Sequence, residues 1–135
     1  MAKNNLDTKQ ANLIYVLQNF SQFCQQHNIE FFIAAGTALG AVKYGGFIPW
    51  DDDIDIYITR ENFDKLKPLI LKSDKFLLKK IFFNDRILLN EEKFDKDFLD
   101  LSVLDSVTES KLILGLMRYL QKVLRCSLYS KIIIN

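Results

Sequence analysis

A dense group of acidic residues near the middle of the chain constrains its fold and its chemistry most. Four of the five positions from 51 to 55 are aspartate: Asp51, Asp52, Asp53 and Asp55. Like charges this close repel one another at neutral pH unless a cation neutralises them. Every second position from 54 onward is apolar, as in a strand with one buried face: Ile54, Ile56 and Ile58. In such a strand Asp53 and Asp55 project from the same face, and paired carboxylates are the ligands that Mg²⁺ or Mn²⁺ prefers.

Neither a calcium loop nor a solvated acidic loop accounts for the acidic run as well as a metal-binding strand does. A calcium loop of EF-hand type beginning at Asp51 needs glycine at its sixth position and glutamate at its twelfth, where this chain has Ile56 and Asn62. A solvated acidic loop leaves unexplained why the acids continue in phase with the isoleucines. Strand parity also separates the acids, because Asp52 faces the other way and is expected to cap a turn, whereas Asp51 shares the parity of the pair.

A candidate phosphate-binding turn precedes the acidic strand. The apolar run at 29–35 predicts a short buried strand that breaks at Gly36 and Thr37, and Thr37 is expected to be the N-cap of a short helix at 38–43. Glycine and a small hydroxyl residue at a helix N-terminus let a phosphate approach the backbone closely. Next to carboxylates that hold metal, this turn supplies what transfer to or from a nucleotide needs.

Three further residues are candidates for the same site. Asp100 lies in a second alternating stretch, 98–104, and its carboxylate meets the other pair if the two strands are neighbours. Lys43 either contacts a phosphate or balances the aspartates, while Trp50 either packs against a base or closes the loop. The sequence therefore predicts a phosphate site at Gly36 and Thr37, with Lys43 as a candidate member, beside four candidate metal ligands: Asp51, Asp53, Asp55 and Asp100.

The remaining sequence patterns predict an α/β (α+β) domain. Apolar residues recur at helical spacing from about Asp7 to His27, and this spacing predicts a long first helix. Three more elements are expected: a helix from Thr59 to about Leu71 that Pro68 kinks or shortens, a strand at 76–83, and a polar loop or weak hairpin at 84–96. We therefore expect a small mixed sheet flanked by helices, with the catalytic core at 1–109.

A basic segment follows this core. Residues 110–135 contain five basic and no acidic residues and predict an amphipathic helix. It either lies on an anionic membrane surface or packs on the core, a missing segment or a partner chain, and we favour packing. Cys24 and Cys126 form no disulfide framework, and neither a signal peptide nor a membrane-spanning run is found in the sequence. A cytoplasmic location is expected, with the inner face of the membrane as a variant of it.

The segment 35–56 carries a longer motif. It runs AGTALGAVKYGGFIPWDDDIDI and closely resembles the signature of the LicD/fukutin-type phosphotransferase family, a branch of the nucleotidyltransferase fold. The lead-in helix and the segment 98–105 are also similar to that family, so that the resemblance covers roughly 12–125. The chain departs from the family pattern at Lys43, where arginine is usual, and at Tyr44, where histidine is common.

The resemblance implies Mg²⁺- or Mn²⁺-dependent transfer of a phospho-group from a CDP-linked donor to a glycan acceptor. In bacterial members the group is often phosphocholine, moved from CDP-choline to a cell-surface sugar. By position, Asp53 and Asp55 hold metal with Asp51 as a further acid, and the Gly-Thr turn faces the phosphates. Asp100 is the third carboxylate and our candidate to deprotonate the acceptor hydroxyl, and Arg86 is a candidate for the family's second basic residue. Family members continue well beyond this length, so the acceptor-binding part is expected to be absent.

Two further functions stay open from the sequence. A minimal nucleotidyltransferase acting on a protein or nucleic acid would share the Gly-Thr turn and the aspartates, but not the connection 47–50. The basic segment has few aromatic residues, so no nucleic-acid partner is expected. A truncated remnant would bind metal and nucleotide, or a partner chain, without catalysis. An apolar face left exposed on the 110–133 helix would favour the remnant.

Overall fold

The computed structural model of the chain describes residues 2–81, 84–106, 115–116 and 119–120. In chain order the elements are α1 (Ala2–Gln26), β1 (Phe32–Ile33), α2 (Ala35–Tyr44), β2 (Ile54–Thr59), α3 (Arg60–Lys72), β3 (Phe76–Ile81), β4 (Asn84–Leu89), a 3₁₀ turn (Glu92–Phe94) and β5 (Phe98–Leu104). The strands form one sheet in the order β1-β2-β5-β4-β3. Only β2 and β5 run parallel, and the other neighbours are antiparallel. The predicted α/β class with a small mixed sheet flanked by helices is confirmed.

The long first helix packs on the sheet through one apolar stripe. Its fully buried residues recur three or four positions apart, as helical packing requires: Leu13, Val16, Phe20 and Cys24. The helix begins at Ala2 rather than at Asp7, which therefore lies inside it. The predicted start was wrong because a helix can continue N-terminally of its apolar stripe through polar residues, which the apolar spacing does not reveal.

Strand parity at the acidic segment is as predicted. In β2 the three isoleucines, Ile54, Ile56 and Ile58, are buried in the core. In β5 the buried positions are Leu99 and Leu101. Thr59 caps α3, since its hydroxyl accepts a hydrogen bond from the Asn62 N–H at 3.4 Å, and the helix continues past Pro68 to Lys72.

The region 84–96 is more ordered than its composition suggested. It contains β4, which lies between β3 and β5 and buries Ile87, Leu88 and Leu89. The prediction of a polar loop or weak hairpin was therefore wrong in part. The polar residues at the start of β4 obscured the short apolar run that follows them in the sequence. Because β4 pairs with a strand on each edge, it is an interior strand of the sheet.

The chain divides into two compact units, Met1–Leu104 and Asp105–Asn135. The first unit contains the whole sheet and the three helices named above. Of the predicted basic helix at 110–135, only 115–116 and 119–120 are described, and both pairs are helical. The rest of that prediction lies outside the described residues. Among the described helices, none is long and apolar enough to cross a bilayer.

Candidate functional site

The two acidic strands lie side by side. Because β2 and β5 are parallel neighbours, Asp55 and Asp100 are direct Cα partners in the register. The predicted meeting of these two carboxylates depended on the strands being adjacent, and the sheet order places them so. The structure thus brings together acids that are 45 positions apart in the sequence.

The carboxylates also act on one another electrostatically. Partial burial, the charges of Asp55 and Asp51, a side-chain hydrogen bond with Asp51 and the charge of Asp52 together raise the pKa of Asp53 from its ordinary 3.8 to about 6. Partial burial, followed by the charges of Asp100 and Asp51, also raises the pKa of Asp55. Asp51, Asp53 and Asp55 lie close in the sequence and Asp100 is the register partner of Asp55, so we treat these four acids together, hereafter the carboxylate cluster.

The carboxylate cluster fits a divalent cation in donor type and in charge. Its oxygens are hard ligands, and a cation would offset the repulsion that, after partial burial, contributes to the raised pKa of Asp53. The side chains are not already closed around such an ion, since no group of three or more His, Cys, Asp or Glu residues is arranged to hold a metal within the described part of the chain.

Gly36 makes room for one of these acids. A Cβ atom added there would lie 2.9 Å from Oδ2 of Asp51, so a larger residue would press on the carboxylate. The preceding Ala35 has a φ of 43°, a left-handed conformation that is uncommon outside glycine. The first turn of α2 therefore lies against the Asp51 carboxylate. The sequence had predicted a phosphate at this place. The phosphate role of Gly36 stays a prediction.

The sequence predicted Thr37 as the N-cap of α2, and this prediction is wrong. The helix α2 begins at Ala35 behind Ala34, which makes no side-chain capping bond. Instead the Thr37 hydroxyl accepts a hydrogen bond at 2.9 Å from the backbone N–H of Asp55. The backbone N–H of Ala34 donates to the Asp55 carbonyl oxygen, also at 2.9 Å. These two bonds attach the start of α2 to the strand that carries the acids.

The remaining predicted residues lie around the loop that joins α2 to β2. Lys43 is exposed in the last turn of α2, with Nζ 5.3 Å from the centre of the Tyr44 ring. It forms no ion pair with any residue that the structure describes. Trp50 is 73% exposed, which leaves its ring available and gives no support to a loop-packing role. Asp52, set apart by parity, pairs with Lys9 at 2.8 Å.

Arg86 is the site residue that the pattern of alternation missed. It lies in β4 directly opposite Asp100, and its Nε donates to Oδ1 of Asp100 at 2.8 Å. Its guanidinium carbon lies 3.8 Å from the centre of the Phe98 ring, in the geometry of a cation–π contact. The resemblance had offered Arg86 only as a basic residue without a position. If residues 84–89 had been assigned as a strand, the alternation of side chains would have indicated which face of the sheet Arg86 lies on.

Replacing Arg86 with methionine is expected to destabilise the chain. The substitution leaves the Asp100 carboxylate, only 15% exposed, beside Asp55 without its cation. We expect the free energy of unfolding to fall by about 1–2 kcal/mol, less than for a fully buried pair. Denaturant unfolding would measure this, with Lys79→Met, at the exposed position opposite Arg86 in β3, as the matched control. The double variant Arg86→Met/Asp100→Asn should recover part of the loss, and no recovery would contradict the pairing.

The raised pKa of Asp53 predicts a pH-dependent stability in the absence of metal. Between pH 3.8 and about 6 the folded chain keeps a proton that the unfolded chain has released, so this contribution to stability is full below 3.8 and is lost as pH rises through 6. Asp53→Asn should therefore be more stable than the unmodified chain at pH 7, by about 1 kcal/mol after solvent screening. Urea unfolding in EDTA at pH 4 to 7 would measure the difference. A difference that does not shrink towards pH 4 would contradict the prediction.

Comparison with known proteins places the chain in a family. Residues 28–117, about two thirds of the chain, match the family model described as "LicD/FKTN/FKRP, nucleotidyltransferase domain". The lipopolysaccharide cholinephosphotransferase LicD of Haemophilus influenzae is 37% identical over 65 residues, which are 48% of this chain and 24% of that protein. Uncharacterised proteins of Rickettsia typhi and Rickettsia prowazekii are 38% and 39% identical over 42% and 40% of this chain.

The matched regions span only 24%, 18% and 20% of these three relatives. The family match nevertheless includes α2, β2, β4 and β5, and therefore every member of the carboxylate cluster. The chain belongs to the LicD/FKTN/FKRP family of proteins with a nucleotidyltransferase domain.

Proposed function

We propose that this chain is a metal-dependent phosphotransferase that moves a phospho-group, of which phosphocholine is our first candidate, from a CDP-linked donor to a cell-surface glycan. The observation that carries the proposal is the register of Asp55 with Asp100 on parallel strands, next to Asp53 with its raised pKa. Membership of the family and the cholinephosphotransferase activity for which the Haemophilus influenzae relative is named support the choice of chemistry.

In this proposal the carboxylates divide the work. Asp51, Asp53 and Asp55 would hold Mg²⁺ or Mn²⁺, which supplies charge neutralisation at the transferring phosphoryl group. Thr37 fixes the backbone at Asp55 through its 2.9 Å hydrogen bond, so that this carboxylate keeps its position on the strand. Because the cluster repels anions when it is empty, donor binding should depend on the cation.

Asp100, which the sequence also predicted as a metal ligand, has a separate role in this proposal. Its Oδ1 is held by Nε of Arg86, so Oδ2 is the oxygen left to accept a proton from the acceptor hydroxyl. The hydroxyl oxygen then attacks the phosphorus atom of the transferred group. The bond from that phosphorus to the bridging oxygen breaks, and CMP leaves with the electron pair. Since Arg86 is itself held against Phe98, it fixes the direction of Asp100.

Release of CMP tests the proposal. The purified chain is incubated with Mn²⁺ and a panel of CDP-linked donors including CDP-choline, with and without glycan acceptors, and Asp55→Asn is the inactive reference. We expect CMP release that needs Mn²⁺ and increases with acceptor. Donor binding without release from any donor would favour the alternative of a chain that binds metal and nucleotide only. Absence of both binding and release would overturn the proposal.

A further inference from the structure

The turn that leads into the carboxylate cluster is held by a side chain of α1. Residues 48–51 form a β-turn, in which the Asp51 N–H donates to the Ile48 carbonyl oxygen at 2.9 Å. The side-chain amide of Gln10 donates to the carbonyl oxygen of Asp51 at 2.8 Å and also reaches that of Ile48 at 3.4 Å. One amide group thus bridges both ends of the turn.

Neighbouring residues of α1 reach the other parts of the site. Lys9 pairs with Asp52 at 2.8 Å, although such an exposed pair contributes little energy. The amide of Asn12 donates to Asp97 at 2.9 Å, and Asp97 is 6% exposed at the position just before β5. The same stretch of helix therefore contacts both chain segments that carry the carboxylates.

These contacts come from outside the matched family domain, which begins at residue 28. We propose that α1 helps to form the metal site and that Gln10 is a positioning residue for Asp51. The inference rests on the proposed metal dependence of the function. It assigns a role to a residue 41 positions away from the acid that it positions.

The physical reason is preorganisation. The loop before β2 has no strand partner, so ordering its residues costs conformational entropy. Like charges on neighbouring carboxylates oppose a compact arrangement when no cation is bound. Gln10 holds the turn in place before binding, so less ordering remains to be done when the ion arrives. Loss of its two bonds should weaken ion binding more than it weakens the fold.

The chain supplies its own reporter. Trp50 is the only tryptophan, lies inside the turn that Gln10 bridges and is 73% exposed. Paramagnetic Mn²⁺ bound nearby quenches its fluorescence, so a titration gives the affinity. The test variant is Gln10→Met, which keeps the side-chain length and the helix propensity but removes the donor. The control is Gln18→Met, the same change at an exposed position of the same helix.

We expect Gln10→Met to weaken Mn²⁺ binding by roughly 10- to 100-fold, as loss of an outer-shell partner does. Hydrogen exchange of the amides at 46–53, measured without metal, should become faster in the same variant. Gln18→Met should change neither. Gln10→Ala serves as a second variant, with folding checked by circular dichroism.

The outcomes separate the two proposals. Unchanged Mn²⁺ affinity in both Gln10 variants, or the same loss in Gln18→Met, would overturn the role of Gln10. If the unmodified chain itself binds no Mn²⁺, the proposed metal-dependent function fails. In that case, faster exchange at 46–53 in the Gln10 variants would show that Gln10 orders the loop. The proposed role of Gln10 in metal binding would nevertheless be overturned.

Discussion

The double substitution Asp53→Asn/Asp55→Asn is expected to abolish Mn²⁺ binding while leaving the metal-free chain at least as stable as before. Asparagine keeps the size of each side chain and removes its charge, so the cluster loses two of its four carboxylates. The loss of affinity should exceed the roughly 10- to 100-fold that follows removal of an outer-shell partner. Stability should not fall, because burial and the neighbouring acids already disfavour the ionised forms of both residues.

These opposite signs make the experiment decisive. Quenching of Trp50 or calorimetry would give the Mn²⁺ affinity, and thermal unfolding in EDTA would give the stability. The control is Asp64→Asn, an exposed acid of α3 that takes no part in the cluster. Unchanged affinity in the double variant would refute the assignment of the metal site. Loss of affinity together with loss of stability would point instead to a structural role for the two acids.

What the sequence could predict about this site was local. The alternation of Ile54, Ile56 and Ile58 defines the exposed face of β2 without any knowledge of the neighbouring strand, because side chains alternate with a period of two. The same holds for Asp100 between Leu99 and Leu101 in β5. Two correct parities and one parallel pairing are enough to bring the acids together.

What the sequence could not predict was the partner of each polar group. Thr37 looked like a helix cap, because capping is the common use of threonine at that position, yet it binds the backbone of a residue 18 positions later. Arg86 could not be placed while its segment was taken for a loop. Gln10 acts across 41 positions through a side-chain amide, a contact for which helical periodicity gives no signal. Such pairings depend on tertiary packing.

The substitution Gly40→Ala is expected to damage both the fold and the site. Gly40 is buried in α2, and a Cβ atom there would lie 2.6 Å from the carbonyl oxygen of Gly46 and 2.9 Å from the backbone nitrogen of Ile48. Both atoms belong to the backbone, so the loop must move away from the helix. Alanine favours the helix by about 1 kcal/mol, but the displaced loop should outweigh this. We expect a net loss of roughly 2–3 kcal/mol in the free energy of unfolding.

The loop that Gly40 contacts leads directly into the turn at 48–51, so its displacement also moves Asp51. Mn²⁺ affinity should therefore fall along with stability, whereas the double aspartate variant loses affinity alone. The matched control is Gly46→Ala, the same change on the other side of the contact. A Cβ atom at Gly46 meets nothing within 4 Å and its φ is not left-handed, so its effect should stay within about 0.5 kcal/mol. Equal stability of the two glycine variants would show that the loop does not pack on α2. It would also contradict the inference that this contact determines the position of Asp51.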